Sequence, residues 1–224
     1  MLEATKRPAL RLLHRTREGE AVLVRLYLEA ERHAEEAAPW EPMLASAPRW
    51  LAAWLDRHRA DERRHAELFA QRLRLLTGED GDAPDGFDAI SRRKLAALHR
   101  LVVRHAPAFQ AGALVPALAI AWRMEEMGVR VFARHVEVLA DAHPRAPLLP
   151  LLQSVLDDER RHARAARRCV ERLVSSNTEE AALALLVTDV DRIERRLGVL
   201  GAVVLWTWGG WLWMRARLAS FTSR

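Results

Sequence analysis

Residues 61–66 read DERRHA, and residues 158–163 read DERRHA again. Each copy contains Glu-x-x-His: Glu62 with His65, and Glu159 with His162. On an α-helix, residues three apart share a face, so each pair can grip one cation from adjacent turns. A single Glu-x-x-His on a charged helix carries little information. Two copies with identical flanks point to a duplicated half-site.

A second repeat lies upstream of each copy. Residues 20–27 read EAVLVRLY and residues 125–132 read EEMGVRVF, each with Val at +4, Arg at +5, an aliphatic at +6 and an aromatic at +7. Glu20 stands 19 residues before Pro39, and Glu125 stands 19 residues before Pro144. Measured from these helix-ending prolines, the two glutamates sit at equal depth. The expected cluster is therefore Glu20, Glu62, His65, Glu125, Glu159 and His162. Glu31 competes with Glu20, because it shares the apolar face of Val24 and Tyr27, but it lies nearer the expected helix end. Glu126 competes with Glu125, and the seam Val115, Leu118, Trp122, Glu125, Val129, Phe132 favours Glu125.

The chain around these motifs reads as all-α. Apolar residues recur at i, i+3, i+4 and i+7, and strand alternation is nearly absent. Long helices are expected over about 8–38, 48–76, 108–142 and 148–175. A shorter helix is capped by Ser91 and reaches His105, and a final helix starts at Asn177 or Thr178. TGEDGDAPDGFD, residues 77–88, is the clearest linker. Two long antiparallel pairs joined by a longer connection describe a four-helix bundle with a crossover helix over residues 1–176. Residues 177–224 add a C-terminal helix.

Four carboxylates inside a bundle repel one another and lose hydration unless they are protonated or neutralised. Two divalent cations cancel the four charges, and the imidazoles complete the donor set. Mixed oxygen and nitrogen ligation with open positions suits iron or manganese better than structural zinc. The pattern resembles the ferritin-like di-iron carboxylate superfamily: one Glu from each of two helices and Glu-x-x-His from each of two others. Asp-Glu-x-Arg-His is also similar to a motif of bacterial multicomponent monooxygenase hydroxylases, and Gly19-Glu20 with Tyr27 to the first ligand helix of rubrerythrins. The resemblance implies a pair of iron ions, with manganese as the alternative metal. It makes Asp61 and Asp158 acceptors for the ligand histidines, with Arg64 and Arg161 pairing those acids and Tyr27 lying close by. The implied activity is that of an oxidoreductase using dioxygen or peroxide and an external electron donor. The alternatives within the same resemblance are a ferroxidase or other iron-handling protein, a peroxide scavenger, and a hydroxylase of modified tRNA.

Composition narrows the rest. The 224 residues are 50% hydrophobic and 29% charged, which suits a folded chain with a sizeable core. One cysteine excludes a disulfide framework and any four-cysteine metal site within the chain. Cys169 is expected to be a buried apolar thiol. The net charge of +5 comes without a block of five basic residues, so nucleic acid is not an expected partner. The N-terminus has no apolar leader-like run, which makes the cytoplasm the default compartment. Residues 197–214, LGVLGAVVLWTWGGWLWM, are 18 uncharged residues with four of the chain's eight tryptophans. They read as a membrane anchor or interfacial helix, with packing on the bundle or in a homodimer as the alternatives. A membrane-attached enzyme of this kind would take a lipid-phase substrate. The histidines without repeated partners, namely His14, His33, His58, His99, His105, His135 and His143, read as surface or capping residues.

Overall fold

A computed structural model describes residues 2–36, 47–78 and 89–222. It is all-helical, with no strand among the described residues. The helices are α1 (Leu2–Leu13), α2 (Arg17–Glu36), α3 (Arg49–Thr77), α4 (Ala89–His105), α5 (Leu114–Ala142), α6 (Leu148–Leu173) and α7 (Asn177–Thr222). A 3-10 turn, Ala106–Ala108, follows α4.

Several expected boundaries shift, each for a local reason. The first expected helix is two, because the chain turns a corner between Leu13 and Arg17. Gly19 lies so close to that corner that a β-carbon there would fall 2.1 Å from the Leu13 carbonyl oxygen. The Thr16 hydroxyl accepts a hydrogen bond from the Gly19 amide at 3.0 Å, serving the start of α2. Ser91 lies inside α4, two residues past its start. The helix α7 is capped by Ser176 rather than Asn177 or Thr178: its hydroxyl accepts from the Glu179 amide at 3.3 Å, while Glu179 reaches back to the Ser175 amide at 2.7 Å. α3 ends at Gly78, whose φ of 77° is the left-handed conformation that glycine adopts without strain. The stop at Pro39 and most of the 77–88 linker lie outside the described residues.

α2 packs along α3, and α5 along α6. Both pairs run antiparallel: Glu20 meets Arg72 and Tyr27 meets Phe69 in the first, Gly128 meets Glu159 and Trp122 meets Arg167 in the second. α3 also meets α6, which brings the two DERRHA segments face to face. α4 connects the pairs and packs on α7.

Two apolar cores occupy opposite ends of these helices. One gathers Leu51, Leu98, Val115, Leu118, Val170 and Leu186, with Cys169 buried among them. The other gathers Val24, Leu28, Phe69, Leu139, Leu148 and Leu152. Along α3, α5 and α6 the polar motif residues fall between the two. A polar layer is thus sealed by hydrocarbon above and below.

α7 differs from the rest. It is the one helix among the described residues long and apolar enough to cross a membrane, and only 17% of its most apolar stretch is buried. α1 covers one face, where Gly209 brings the backbone against Leu12 and Leu13. Val203, Val204, Trp206, Trp208, Trp211 and Met214 remain exposed.

Candidate metal centre

Two groups of donors converge in the polar layer. His58, Glu62, Glu125 and His162 each place a ligand atom within 4.8 Å of the others, as do Glu31, Glu62, His65 and Glu159. Glu62 belongs to both. We call these the first and second groups. In the first, His162 Nδ1 lies 3.2 Å from Glu62 Oε1 and 3.6 Å from Glu125 Oε2, and His58 Nε2 lies 2.9 Å from Glu125 Oε1. In the second, His65 Nδ1 lies 3.5 Å from Glu31 Oε2 and 3.9 Å from Glu159 Oε1. Donors about 2.1 Å from one cation stand roughly 3 to 4 Å from each other.

Of the six expected ligands, five meet here: Glu62, His65, Glu125, Glu159 and His162. Glu20 does not. Its carboxylate is held by Arg72 instead, whose Nε and Nη2 both donate to Glu20 Oε1, at 2.9 and 2.5 Å. Glu31 takes its place, three turns further along α2, level with His65. The proline ruler fails because α2 and α3 pack with Glu20 opposite Arg72, so equal distance from Pro39 and Pro144 does not mean equal depth. Glu126 points elsewhere, accepting from Trp122 Nε1 at 2.8 Å and from Arg123.

Histidines without repeated partners were not all peripheral. His58 joins the first group, although its counterpart in the other half is Val155. It stands one turn before Glu62 on the same face, a spacing visible in the chain. His135 is fully buried.

The motif's flanking residues form a crossed frame. His65 Nε2 faces Asp158 Oδ2 at 3.1 Å, and His162 Nε2 faces Asp61 Oδ2 at 3.1 Å. Each aspartate thus serves the histidine of the opposite helix. Arg64 bonds Asp61 at 3.1 Å and also Asp158, and Arg161 bonds Asp158. An Nε2–H donated to an aspartate leaves the Nδ1 lone pair turned into the cage.

The donors fit a metal pair on the evidence of their unmet valences. Glu62 Oε1, His65 Nδ1 and His162 Nδ1 are buried, and no hydrogen bond reaches them. They lie close to polar neighbours but are not aligned with them. Their lone pairs converge on shared points instead, a costly arrangement unless something occupies those points. Gly128 supplies room: a β-carbon there would lie 2.2 Å from Glu159 Oε2.

Protonation shows the same demand for positive charge. Burial, then the charges of neighbouring glutamates, push Glu31 and Glu159 well above the usual carboxylate range. Burial acts on Glu125 in the same direction, but the His162 and His58 imidazoles that face its carboxylate outweigh it and hold the group at about 2. His162 is driven the other way: Glu125 and Glu62 overcome its burial and raise it to about 11. Without cations, protons neutralise the cage.

Compared with protein families, with curated proteins and with solved structures, the chain finds no match.

Proposed function

We propose that this chain is a ferritin-like, di-metal carboxylate oxidoreductase, with α2, α3, α5 and α6 as its four-helix bundle and two iron ions between them. The observation that carries this reading is the pair of donor groups sharing Glu62, sealed between two apolar cores and containing buried lone pairs with no hydrogen-bond partner. Glu31, Glu159 and His65 would hold one ion, and His58, Glu125 and His162 the other; Glu62, which belongs to both groups, would be available to either. When bound, such a pair supplies one-electron redox chemistry and open positions for dioxygen or peroxide.

The chain's own contribution is geometric and electrostatic. Asp61 and Asp158 hold the two histidines in the tautomer that presents Nδ1. Arg64 and Arg161 hold those aspartates. Gly128 leaves the Glu159 carboxylate space to move. The cores keep bulk water from the reacting centre. No flavin or haem motif is apparent in the sequence, so electrons come from an external donor.

The exposed apolar face of α7 supports attachment to a lipid surface through residues 197–214, with α1 bridging it to the bundle. That arrangement suits a lipid-phase substrate.

Reconstitution of the purified chain with ferrous iron, followed by oxygen, tests the proposal. The expected result is two irons per chain and the near-ultraviolet band of an oxygen-bridged ferric pair. Iron that stays mononuclear, or fails to bind, refutes it.

A further inference from the structure

Tyr27 is the chain's only tyrosine. It stands one helical turn before Glu31 on α2. Its ring packs against Phe69 at 5.5 Å and Phe132 at 5.0 Å between centroids. Phe69 is one turn past His65, and Phe132 one turn past Gly128. These rings form a layer roughly 6 Å along the helices from the cage, at 1.5 Å rise per residue.

On its other side the phenol leads away from the cage. The Tyr27 hydroxyl meets His135 Nδ1 at 2.7 Å. The other ring nitrogen of His135, Nε2, is in hydrogen-bonding contact with His14 Nε2. His14 lines a surface cavity of about 410 Å³, together with Glu20, Leu139, His143 and Arg145. The expected metal ligand Glu20 thus stands at the outer end of this chain of contacts.

We infer that Tyr27 is a redox-active residue whose electron passes to the metal pair while its proton leaves in the opposite direction, through His135 and His14, to the cavity. The inference rests on the di-metal reading above. The resting arrangement has Tyr27 O–H donating to His135 Nδ1 and His135 Nε2–H donating to His14 Nε2. On giving one electron to a bound metal pair that dioxygen or peroxide has oxidised, the phenol would lose its proton to His135: the O–H bond breaks and Nδ1–H forms. The His135 Nε2–H bond breaks as Nε2–H forms on His14, and His14 releases its Nδ1 proton to water in the cavity. The products are a neutral phenoxyl radical, a metal pair reduced by one electron and a solvated proton. An external donor restores the phenol by the reverse path.

The surroundings favour passage over storage. Burial holds His135 well below the usual histidine range, with His14 adding to the effect. Burial, then His143 and Arg72, hold His14 at about 4. Neither imidazole keeps an added proton, so the proton goes on to water. Burial also raises the Tyr27 phenol, so it does not lose its proton before its electron.

The test is rapid freeze-quench electron paramagnetic resonance on the full chain, loaded with ferrous iron to a measured stoichiometry and mixed with oxygen or peroxide. A phenoxyl signal is expected that narrows with ring-deuterated tyrosine and vanishes in Tyr27→Phe, a variant that keeps the packing on Phe69 and Phe132. His135→Gln should lower its yield by about tenfold or more. His14→Gln should slow its appearance and reduce the solvent deuterium effect. In the metal-free chain, the 15N shifts of His135 should change in both Tyr27→Phe and His14→Gln. Full iron occupancy without a radical, or a radical that survives Tyr27→Phe, overturns this inference alone. Failure to bind iron overturns the functional reading and this inference with it.

Discussion

The two donor groups share Glu62 and a duplicated frame, yet they are not alike. The first has two imidazoles and two carboxylates, and His58 and Glu125 are 12% and 11% exposed. The second has three carboxylates and one imidazole, and its side chains are at most 7% exposed. The DERRHA repeat therefore makes the common scaffold, while three unrepeated residues make the difference: Glu31, His58 and Gly128. Nitrogen-rich, accessible donors suit a softer and more readily exchanged cation. Carboxylate-rich, buried donors need a cation more and release it less easily. The two ions should bind with unequal affinity.

Glu62→Gln is the largest expected disruption, because it removes the one side chain common to both groups. Both ions should be lost in metal analysis, while the metal-free fold stays intact by circular dichroism. Loss of one ion only would show that Glu62 is not shared.

Gly128→Ala and Glu31→Gln should each abolish the second site and spare the first, leaving one ion per chain. The alanine methyl occupies space that Glu159 uses. Glu31→Gln should not lower the melting temperature of the metal-free chain, because it removes a carboxylate from a crowded cage. Asp158→Asn and Asp61→Asn leave every ligand in place and should weaken metal binding by about 10–100-fold. Asp158→Asn should act first on the ion held by His65, and Asp61→Asn on the ion held by His162. Calorimetric titration separates the two.

The pH dependence has a definite sign. Glu31 and Glu159, both raised, and His162, raised to about 11, keep protons in the folded metal-free chain that an unfolded chain releases above 4.5 and 6.5. Metal-free stability contributed by these groups should therefore fall as the pH rises from about 4.5 to about 11. Metal binding should release protons and tighten over the same range, a trend visible in thermal melts with and without iron. The smallest effect is expected from Glu20→Gln, which leaves both ions bound. It breaks the pairing with Arg72 at a cost of about 1–3 kcal/mol, read as a Tm lower by a few degrees.

Much of the centre is legible in the chain because helical periodicity is local. Glu-x-x-His in duplicate and the seam that selects Glu125 over Glu126 follow from spacing, and the pairing of Asp61 and Asp158 with the histidines and with Arg64 and Arg161 is what the family resemblance implies; that each aspartate serves the histidine of the opposite helix is visible only in the structure. What escapes is register between helices. The repeat EAVLVRLY draws attention to Glu20, but side-by-side packing decides which turn of α2 faces His65, and that turn carries Glu31. His58 stands one turn before Glu62 on the ligand face, but Val155 occupies the equivalent position in the other half, so the repeat does not mark it. His14 and His135 meet across 121 positions, and Gly128 matters only because Glu159 approaches it. No local pattern marks such contacts.

Anomalous diffraction from crystals grown with ferrous iron tests the central claim most directly. Two peaks should appear in the polar layer, one among Glu31, Glu62, His65 and Glu159, the other among His58, Glu62, Glu125 and His162. A single peak outside this layer, or side chains there that hydrogen-bond to one another with no ion between them, would contradict the account.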